Sequence, residues 1–305
     1  MPTLRLLDAA EIDARQWDAC IALAPNGTPY ACFHYLNAMA DRWCALVMDD
    51  YRLVMPLPFK RKWGIRYVYR PPFIQRLGIF QVNERCSEVL KKACFEKALQ
   101  HFSYLHYCVD AETAIELPHM QAFVKPNYVL DLQKPYASIR SQYRPSLIRS
   151  LKRAETSGLM LQEGSLPEAI RFCYARYHRQ IPELADKDLQ RLLHAAQHDR
   201  CYQITSHRVV NQHGELLAVA VWLRASQRMI AILNGCNETG RTLRAMHFLF
   251  DRIIRQYSNT PLILDFEGSS LPGVARFIRN FGASLENYFT LHANRLPFPL
   301  RWIKR

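Results

Sequence analysis

The 305-residue sequence lacks the features that place many proteins in a class at once. No stretch approaches the roughly 18 consecutive apolar residues of a membrane span. Acids interrupt the first twenty residues, so no secretory signal is expected. No serine-hydrolase elbow, P-loop or dinucleotide-binding glycine motif occurs. The 11 glycines and 17 prolines show no fibrous period. With 49% apolar residues, the chain is expected to fold rather than to be disordered.

Cysteine and histidine give no sign of a metal centre. The nine cysteines are scattered and form no C-x-x-C pair, which predicts buried, reduced thiols and a cytoplasmic location. His194 and His198 have the i, i+4 spacing of a zinc helix, but no glutamate follows the first of them as it does in H-E-x-x-H. We therefore expect no metal, and interpret the two histidines as part of a solvated helix face.

Acidic residues are scarce in the second half of the chain. Residues 1–131 have a charge balance of +1, whereas residues 132–305 have +12 of the total +13. Of the 25 basic residues in the second half, 21 are arginine, whose planar guanidinium binds phosphate or carboxylate through two hydrogen bonds. This half is expected to meet an anionic partner.

The second half has a readable order of elements. A basic helix is predicted near 146–157, and a strand near 159–163 follows it. The remaining elements are predicted as helices near 167–180 and 186–199, strands at 201–209, 215–224 and 228–234, a helix at 241–257, a strand at 261–266, a helix near 271–281 and a strand near 284–292. The order after the basic helix is thus β-α-α-β-β-β-α-β-α-β.

The first half repeats part of this order in weaker form. Helices near 11–22 and 33–41 precede strands around 44–48, 51–57 and 65–70, and a helix around 84–101 and a strand near 103–109 follow. Two prolines flank a strand-like segment within 125–137, which places a domain boundary there. We predict two domains, 1–131 and 132–305, with a degenerate copy of the second in the first.

The element order of 158–292 resembles the GNAT fold of acyl-CoA N-acyltransferases. Two segments, YRPSLIRSLKRAETSGLML (143–161) and LDFEGSSLPGVARFIRNFGA (264–283), together with the tandem length, are similar to the Fem-like branch. The resemblance implies two tandem GNAT-like α/β domains, each a mixed, mostly antiparallel sheet flanked by helices. It also implies an acyl-CoA or CoA donor. One departure bears on the donor, because Ile278 stands where the Fem-like F-K-x-x-F-G segment has its lysine.

The donor is predicted at the turn from strand 228–234 into helix 241–257. A helix N-terminus presents free N–H groups to an anion, and Gly240 would admit a pyrophosphate close to the backbone. In the GNAT fold, the donor amide pairs with the strand edge. The candidate donor-binding residues are Leu233, Asn234, Gly235, Gly240, Arg241, Thr242 and Arg244. The alternative is an ordinary helix start capped by Thr239.

Three side chains are candidates for proton transfer. Asp265 and Glu267 flank Phe266 at a strand end, so both carboxylates are expected on one side, with Glu267 favoured as general base. Tyr288 is a candidate general acid for the leaving thiolate, a role that the resemblance implies. The alternatives are an acid that caps the next helix or pairs with an arginine, and a tyrosine in the core.

Two stretches without acids are candidates for the acceptor or for RNA. One spans 52–82 and interleaves basic and aromatic residues, and the other spans 132–154. Candidate acceptor-binding residues are Tyr69, Gln75, Arg144, Arg149 and Lys152. A solvated basic surface and a packed loop are the alternatives.

The sequence therefore predicts an acyltransferase that moves an acyl group from acyl-CoA, or an activated amino acid, to a small-molecule or peptide amine held between the two domains. Two alternatives stay open. One is a tRNA-dependent aminoacyltransferase of the Fem type, and the other is a binding protein that keeps the fold without the chemistry.

Overall fold

In a computed structural model of the chain, residues 3–177, 185–198, 201–225, 227–268, 271–298 and 301 are described. The chain divides into two units. Unit 1 comprises residues 1–125 and 287–305, and unit 2 comprises residues 126–286. Each unit is built on one sheet with helices packed against it. The two-domain α/β architecture expected from the sequence is confirmed.

Unit 1 follows the predicted order, and its helices are α1 (Ala14–Leu23), α2 (Phe33–Met39) and α3 (Glu88–His101). Its strands are β1 (Leu4–Asp8), β2 (Trp43–Met48), β3 (Leu53–Lys62), β4 (Ile65–Val68), β5 (Phe80–Gln81), β6 (Tyr104–Asp110), β7 (Gln121–Lys125) and β15 (Tyr288–Asn294). They form a sheet in the order β1-β2-β3-β4-β6-β15-β7, with β5 paired to β3. All six residues of β2 are buried, as expected of a central strand covered on both faces.

Unit 2 contains the predicted basic helix and the strands that follow it. Its helices are α4 (Tyr136–Ser141), α5 (Pro145–Glu155), α6 (Leu166–Tyr177), α7 (Asp186–Ala195), α8 (Glu238–Thr242), α9 (Ala245–Tyr257) and α10 (Pro272–Arg279). Its strands are β8 (Tyr128–Asp131), β9 (Met160–Gly164), β10 (Gln203–Val210), β11 (Leu216–Ala225), β12 (Arg228–Cys236), β13 (Ile263–Asp265) and β14 (Ser284–Leu285). The ends predicted for α6 and α7, at 178–180 and 199, lie outside the described residues.

The two sheets have the same strand order. Unit 2 runs β9-β10-β11-β12-β13-β8-β14, with one parallel pair, β12 with β13. Unit 1 runs β1-β2-β3-β4-β6-β15-β7, with one parallel pair, β4 with β6, at the same place in the order. The first half of the chain is therefore a second copy of the same architecture, as the sequence predicts.

The predicted division at 131/132 differs from the structure at both ends of unit 2. Strand β8 pairs with β13 and β14, which places residues 126–131 in unit 2. Strand β15 lies between β6 and β7, which places the C-terminal strand in unit 1. The reason is strand pairing across long sequence separation, since each of these strands satisfies its backbone groups in the sheet that it joins.

The core of unit 2 lies under α5, α9 and α10. The apolar faces of these helices follow the 3.6-residue period and bury Leu147, Leu151, Leu249, Ile253 and Ile278. Pro145 and Pro272 occupy the first turns of α5 and α10, where the missing N–H removes no helical hydrogen bond. An aromatic cluster closes this core around Phe281, which is 0% exposed. The four aromatic rings against it are those of Tyr143, Phe250, Phe266 and Phe277.

Replacement of Phe281 by alanine is expected to lower the free energy of unfolding of unit 2 by about 3–5 kcal/mol, because it opens a cavity among four rings. Urea unfolding followed by far-UV circular dichroism measures this change. The matched control is Val274→Ala on α10, where the side chain is 41% exposed and the change should stay within about 0.5 kcal/mol. Equal losses in the two variants would contradict the assigned core.

Candidate functional site

Strands β12 and β13 of unit 2 separate after three paired residues. The parallel register covers only Arg228 to Ile230 on β12, opposite Ile263 to Asp265 on β13. On its other side, β12 stays paired with β11 as far as Cys236. Within the part of the chain that the structure describes, no strand pairs with β12 beyond Ile230 on the β13 side. We call residues 231–236 of this side the open edge.

A β-bulge interrupts the regular pairing of β12 within the open edge. Val221 pairs with Leu233 and Trp222 with Ala231, so Ile232 is the additional residue on β12. Three predicted donor-binding residues, Leu233, Asn234 and Gly235, follow this bulge on the open edge. The amide group of Asn234 donates to the Ala231 carbonyl at 3.3 Å, whereas its buried Oδ1 accepts no hydrogen bond from any described residue. A buried acceptor without a donor is unfavourable, and a ligand N–H would relieve it.

Gly240 does not offer its amide to a ligand. The side chain of Asn237 caps α8, and its Oδ1 accepts from the Gly240 N–H at 2.7 Å. A Cβ at this glycine would lie 2.6 Å from the Leu217 carbonyl oxygen and 2.9 Å from Cys236 Sγ. Gly240 is therefore required for packing of α8 against β11 and Cys236, not for a ligand's approach. The helix predicted to begin near 241 is divided into α8 and α9, and its cap is Asn237 rather than Thr239.

The N-terminus of α9 lies next to exposed arginines. Arg244 precedes α9 in a left-handed conformation (φ 64°), and no side chain caps the helix. The positive end of the α9 dipole therefore follows directly on an arginine, and in the first turn the Met246 N–H faces the Cys236 sulfur. Arg241, Thr242 and Arg244 are exposed. Arg176 of α6 joins them, since its charge, like that of Arg241, acts on the thiol of Cys236 at the end of β12.

Two titratable groups border this helix terminus. Burial raises the pKa of the Cys236 thiol, so Cys236 stays protonated at neutral pH and is not a thiolate nucleophile. Burial, with the charge of Arg244 as a second cause, lowers the pKa of His247 to about 4. The imidazole of His247 packs edge-on to Phe277 at 4.9 Å between ring centroids. His247 is therefore a neutral imidazole at pH 7 in the first turn of α9.

Asp265 is part of a buried ion-pair network. Its carboxylate is 0% exposed and accepts from the Arg228 guanidinium at 2.5 Å and from Asn127 Nδ2 at 3.0 Å. Arg228 also donates twice to Glu286, at 2.9 and 3.0 Å. Burial opposes the charge on Arg228, but the two carboxylates raise its pKa further above the usual range. Since Arg228 holds this carboxylate, Asp265 is a structural residue and not the general base that the sequence allowed.

Glu267 lies outside the strand that the sequence assigns to it. Strand β13 ends at Asp265, whose Oδ1 accepts the Glu267 N–H at 2.9 Å. Glu267 has φ 49°, so the side-to-side alternation that predicted two carboxylates on one side stops before it. The Gly268 N–H donates to Asn127 Oδ1, and a Cβ at Gly268 would lie 2.4 Å from Asn127 Cα. This glycine admits another stretch of backbone, not a ligand.

Tyr288 belongs to the other unit. It is the first residue of β15, opposite Asp110 on β6 and Lys125 on β7. The sequence places it on a strand of the second domain, and the structure places it in the unit 1 sheet. Its predicted role as a general acid stays a prediction.

The proline-rich segment at 69–80 is bonded to β6 within unit 1. Leu77 pairs in parallel with Val109 of β6. The Leu77 N–H donates to the Cys108 carbonyl, and the Leu77 carbonyl accepts from the Asp110 N–H. Gln75 is 6% exposed and accepts from Arg76, while Tyr69 accepts from the Asp41 N–H. The two predicted acceptor-binding residues in this segment are therefore packed within unit 1.

The other predicted acceptor-binding residues lie on or beside α5. Arg144, Arg149 and Lys152 are all exposed. Ile278, at the position of the Fem-like lysine, is 2% exposed in the core of unit 2. Its neighbour Arg279 donates to the Ala275 carbonyl at 3.3 Å, within α10.

Sequence reasoning missed Arg228, Asn127 and Glu286. One signal was present, because an arginine opens the otherwise apolar strand RMIAILNGC and a charged group there needs a partner. In the described part of the chain, no group of three His, Cys, Asp or Glu side chains is placed to hold a metal. None of the described helices is long and apolar enough to span a membrane.

The two sheets have the same strand order, and in unit 2 the strands β12 and β13 separate after their parallel pairing. This arrangement defines a tandem GNAT fold. The Fem-like form of this fold is supported by FemX, which aligns over 98% of this chain and 99% of its own, with a TM-score of 0.66 and 12% identity. L-PGS from Bacillus licheniformis (95% and 94% covered, TM-score 0.55, 11% identity) has the same fold. A tandem GNAT protein from the clavulanic acid biosynthesis pathway also has this fold. The alignment covers 97% of this chain and 99% of that protein, with a TM-score of 0.54 and 10% identity. No family model and no curated protein sequence matches the chain.

Replacement of Arg228 by methionine is expected to lower the free energy of unfolding by about 3–5 kcal/mol, because it removes the cation from a buried carboxylate. The double variant Arg228→Met with Asp265→Asn should lose less than the sum of the two single variants. Arg208→Met on β10 is the control, since its pair with Glu168 is about one-third exposed and should contribute about 1 kcal/mol or less. Strict additivity in chemical denaturation would show that the two groups do not act together.

The neutral imidazole of His247 predicts a pH dependence of stability. The unfolded chain takes up a proton at this histidine below about pH 6.5, whereas the folded chain does so only near pH 4. Stability therefore falls as the pH decreases through this window. His247→Gln should reduce the loss between pH 7 and pH 4.5 by about 1–3 kcal/mol, measured by urea unfolding of both proteins at both pH values. The same pH dependence in both proteins would rule out this assignment.

Proposed function

We propose that the protein is an acyltransferase that binds an acyl-CoA or an activated amino acid on unit 2 and transfers the acyl group to a small-molecule or peptide amine. The observation that carries the proposal is the open edge of β12, which leaves backbone and the Asn234 acceptor for an amide-bearing donor. Among the described residues of unit 1, the corresponding strand β4 ends at Val68, the last residue of its parallel pairing with β6, so it has no such extension. The tandem GNAT and FemX structures share the fold, which makes acyl or aminoacyl transfer the class to test first.

The donor's phosphates are assigned to the N-terminus of α9. Arg241, Arg244 and Arg176 supply positive charge, and the positive end of the α9 dipole adds to it, although the Met246 N–H of the first turn already faces the Cys236 sulfur. The amide-bearing arm would then lie along the open edge, where its N–H donates to Asn234 Oδ1. This assignment replaces the predicted contact at Gly240, whose N–H is already bonded to Asn237.

Transfer from a thioester donor forms a C–N bond to the amine nitrogen and breaks the C–S bond. The amine must lose a proton, and the thiolate takes one up as it leaves. Glu267 is the proposed base, because it follows the end of β13 at the point where the two strands separate. Asp265 is not proposed, since Arg228 holds its carboxylate in an ion pair. Positioning of the two reactants also lowers the barrier, with water as the final proton acceptor.

A second candidate is a tRNA-dependent aminoacyltransferase of the Fem type. The exposed basic residues of α5 favour it, because they exceed what one phosphorylated cofactor needs. The buried Ile278 in place of the Fem-like lysine stands against it. The two candidates differ in their salt dependence, since a protein that contacts several RNA phosphates loses affinity steeply as salt increases.

Titration with CoA, acetyl-CoA and aminoacyl-tRNA, followed by thermal unfolding, separates the candidates. A ligand at about 100 times its Kd should add about 2.7 kcal/mol to the stability of the folded protein. Arg244→Glu should weaken CoA binding at least tenfold, because it puts a like charge beside the phosphates. Arg255→Glu changes the same charge at the opposite end of α9 and should leave CoA binding unchanged.

Asn234→Leu gives an independent readout. It removes the unpaired buried acceptor, so the free protein should be no less stable, yet CoA binding should weaken. Glu267→Gln should keep CoA binding and lower the rate of acyl transfer to an amine. If none of the three ligands changes the stability, both enzyme proposals fail. If CoA binds but no amine is acylated, the protein is a ligand-binding member of the fold.

A further inference from the structure

The hairpin of β3 and β4 in unit 1 contains an unusual residue at its turn. Lys62 pairs with Ile65, so the turn has two residues, Trp63 and Gly64, with φ 52° and 79°. Two-residue turns with positive φ at both positions favour Asn-Gly, because a bulky side chain is strained in the left-handed region. The chain places a tryptophan there.

Trp63 also exposes its ring. It is 71% exposed, whereas Trp17, Trp43 and Trp222 are at most 4% exposed. A strained backbone and an exposed indole at one residue are both unfavourable in the isolated protein. Outliers of this kind cluster at functional sites, where an interaction outside the folded chain offsets them.

The charges around this turn are of one sign. Arg61 and Arg66 stand directly opposite each other across the two strands, a like-charge pair that disfavours the hairpin. Lys62 Nζ lies 4.7 Å from the centroid of the Trp63 ring. Lys60 is paired with Asp41 at 3.1 Å, whereas Arg61, Lys62 and Arg66 form no ion pair with an acid of the described residues. Five of the eleven residues from 60 to 70 are basic and none is acidic.

An anionic phospholipid surface matches this combination. Tryptophan prefers the boundary between headgroups and acyl chains, and lysine and arginine beside it reach back to the lipid phosphates. The attraction of basic residues to an anionic bilayer acts within a Debye length of the surface, which a protruding turn reaches. A single-stranded nucleic acid is a poorer match, because it is bound along a basic groove with successive aromatic rings, whereas Trp63 lies at the tip of a two-residue turn.

We propose that the β3–β4 hairpin docks the protein peripherally on an anionic phospholipid bilayer. Trp63 enters the headgroup boundary, and the exposed Arg61 and Lys62 pair with lipid phosphates. Arg66 adds positive charge behind them, where its guanidinium lies over the rings of Phe59 and Phe102. This proposal is independent of the donor site, because every residue that it uses belongs to unit 1.

Co-sedimentation of the full chain with vesicles tests it. Binding is expected to vesicles of phosphatidylglycerol and phosphatidylcholine and not to vesicles of phosphatidylcholine alone. The tryptophan emission should shift to shorter wavelength on binding. Trp63→Asn places a residue suited to the left-handed turn, so its melting temperature should be equal or higher while vesicle affinity falls at least tenfold and the shift disappears. If Trp63→Asn is at least as stable as the original protein but binds vesicles less tightly, the loss of binding is not caused by misfolding.

A charge-matched pair of variants tests the basic residues. Arg61→Gln with Lys62→Gln should weaken vesicle binding at least tenfold. Arg85→Gln with Lys92→Gln removes the same charge from exposed residues elsewhere in unit 1 and should leave most of the binding. Equal losses in the two double variants, or unchanged binding by Trp63→Asn, would overturn the proposal. It would also be overturned if Trp63→Asn weakened binding of oligouridylate RNA and not of vesicles.

Discussion

The geometry of unit 2 depends on the partly buried guanidinium of Arg228. It bridges Asp265 at the end of β13 and Glu286 just after β14, and Asn127 before β8 bonds to both acids. Asp265 in turn accepts the amide of Glu267 two residues further on, which turns the chain out of the sheet. Strand β13 therefore cannot continue beside β12, and the open edge is the consequence. The same ion pair that stabilises the sheet thus also limits its length.

The two units show how one topology gives two different sites. Both sheets place a single parallel pair after a helix that follows three antiparallel strands. In unit 2, β12 continues beyond this pair to Cys236, whereas in unit 1 the corresponding strand β4 ends at Val68, the last paired residue. The duplication therefore does not double the site. This difference between the two sheets is the reason why the donor is proposed on the arginine-rich half. It is a difference in backbone pairing and not in net charge.

Local patterns in the sequence predicted most of the elements, whereas partners remote in sequence were beyond it. The apolar runs of β11 and β12 and the apolar face of α9 are local, so helix and strand types could be assigned. Strand β15 has no local property that selects the sheet of unit 1. The pattern predicts Asp265 and Glu267 on one side of a strand, whereas Asp265 accepts the Glu267 N–H and the strand ends before Glu267. The partners that hold Asp265, Arg228 and Asn127, are remote in sequence. Asn237 and Thr239 are both capable caps, and packing of Gly240 against Leu217 selects the first.

The net charge of a half of the chain does not show where its basic residues are concentrated. Unit 1 contains most of the half whose balance is only +1, yet its β3–β4 hairpin concentrates basic residues without a neighbouring acid in the sequence. Acidic residues elsewhere in that half lower its net charge, but they do not cancel the positive potential at the hairpin. The reason is that charges further apart than about 8 Å are screened from each other at physiological salt. On unit 2, by contrast, the exposed arginines next to α9 matter because an uncapped helix end lies beside them. Local geometry, and not the total of +13, therefore separates a surface suited to many phosphates from a site suited to one phosphorylated ligand.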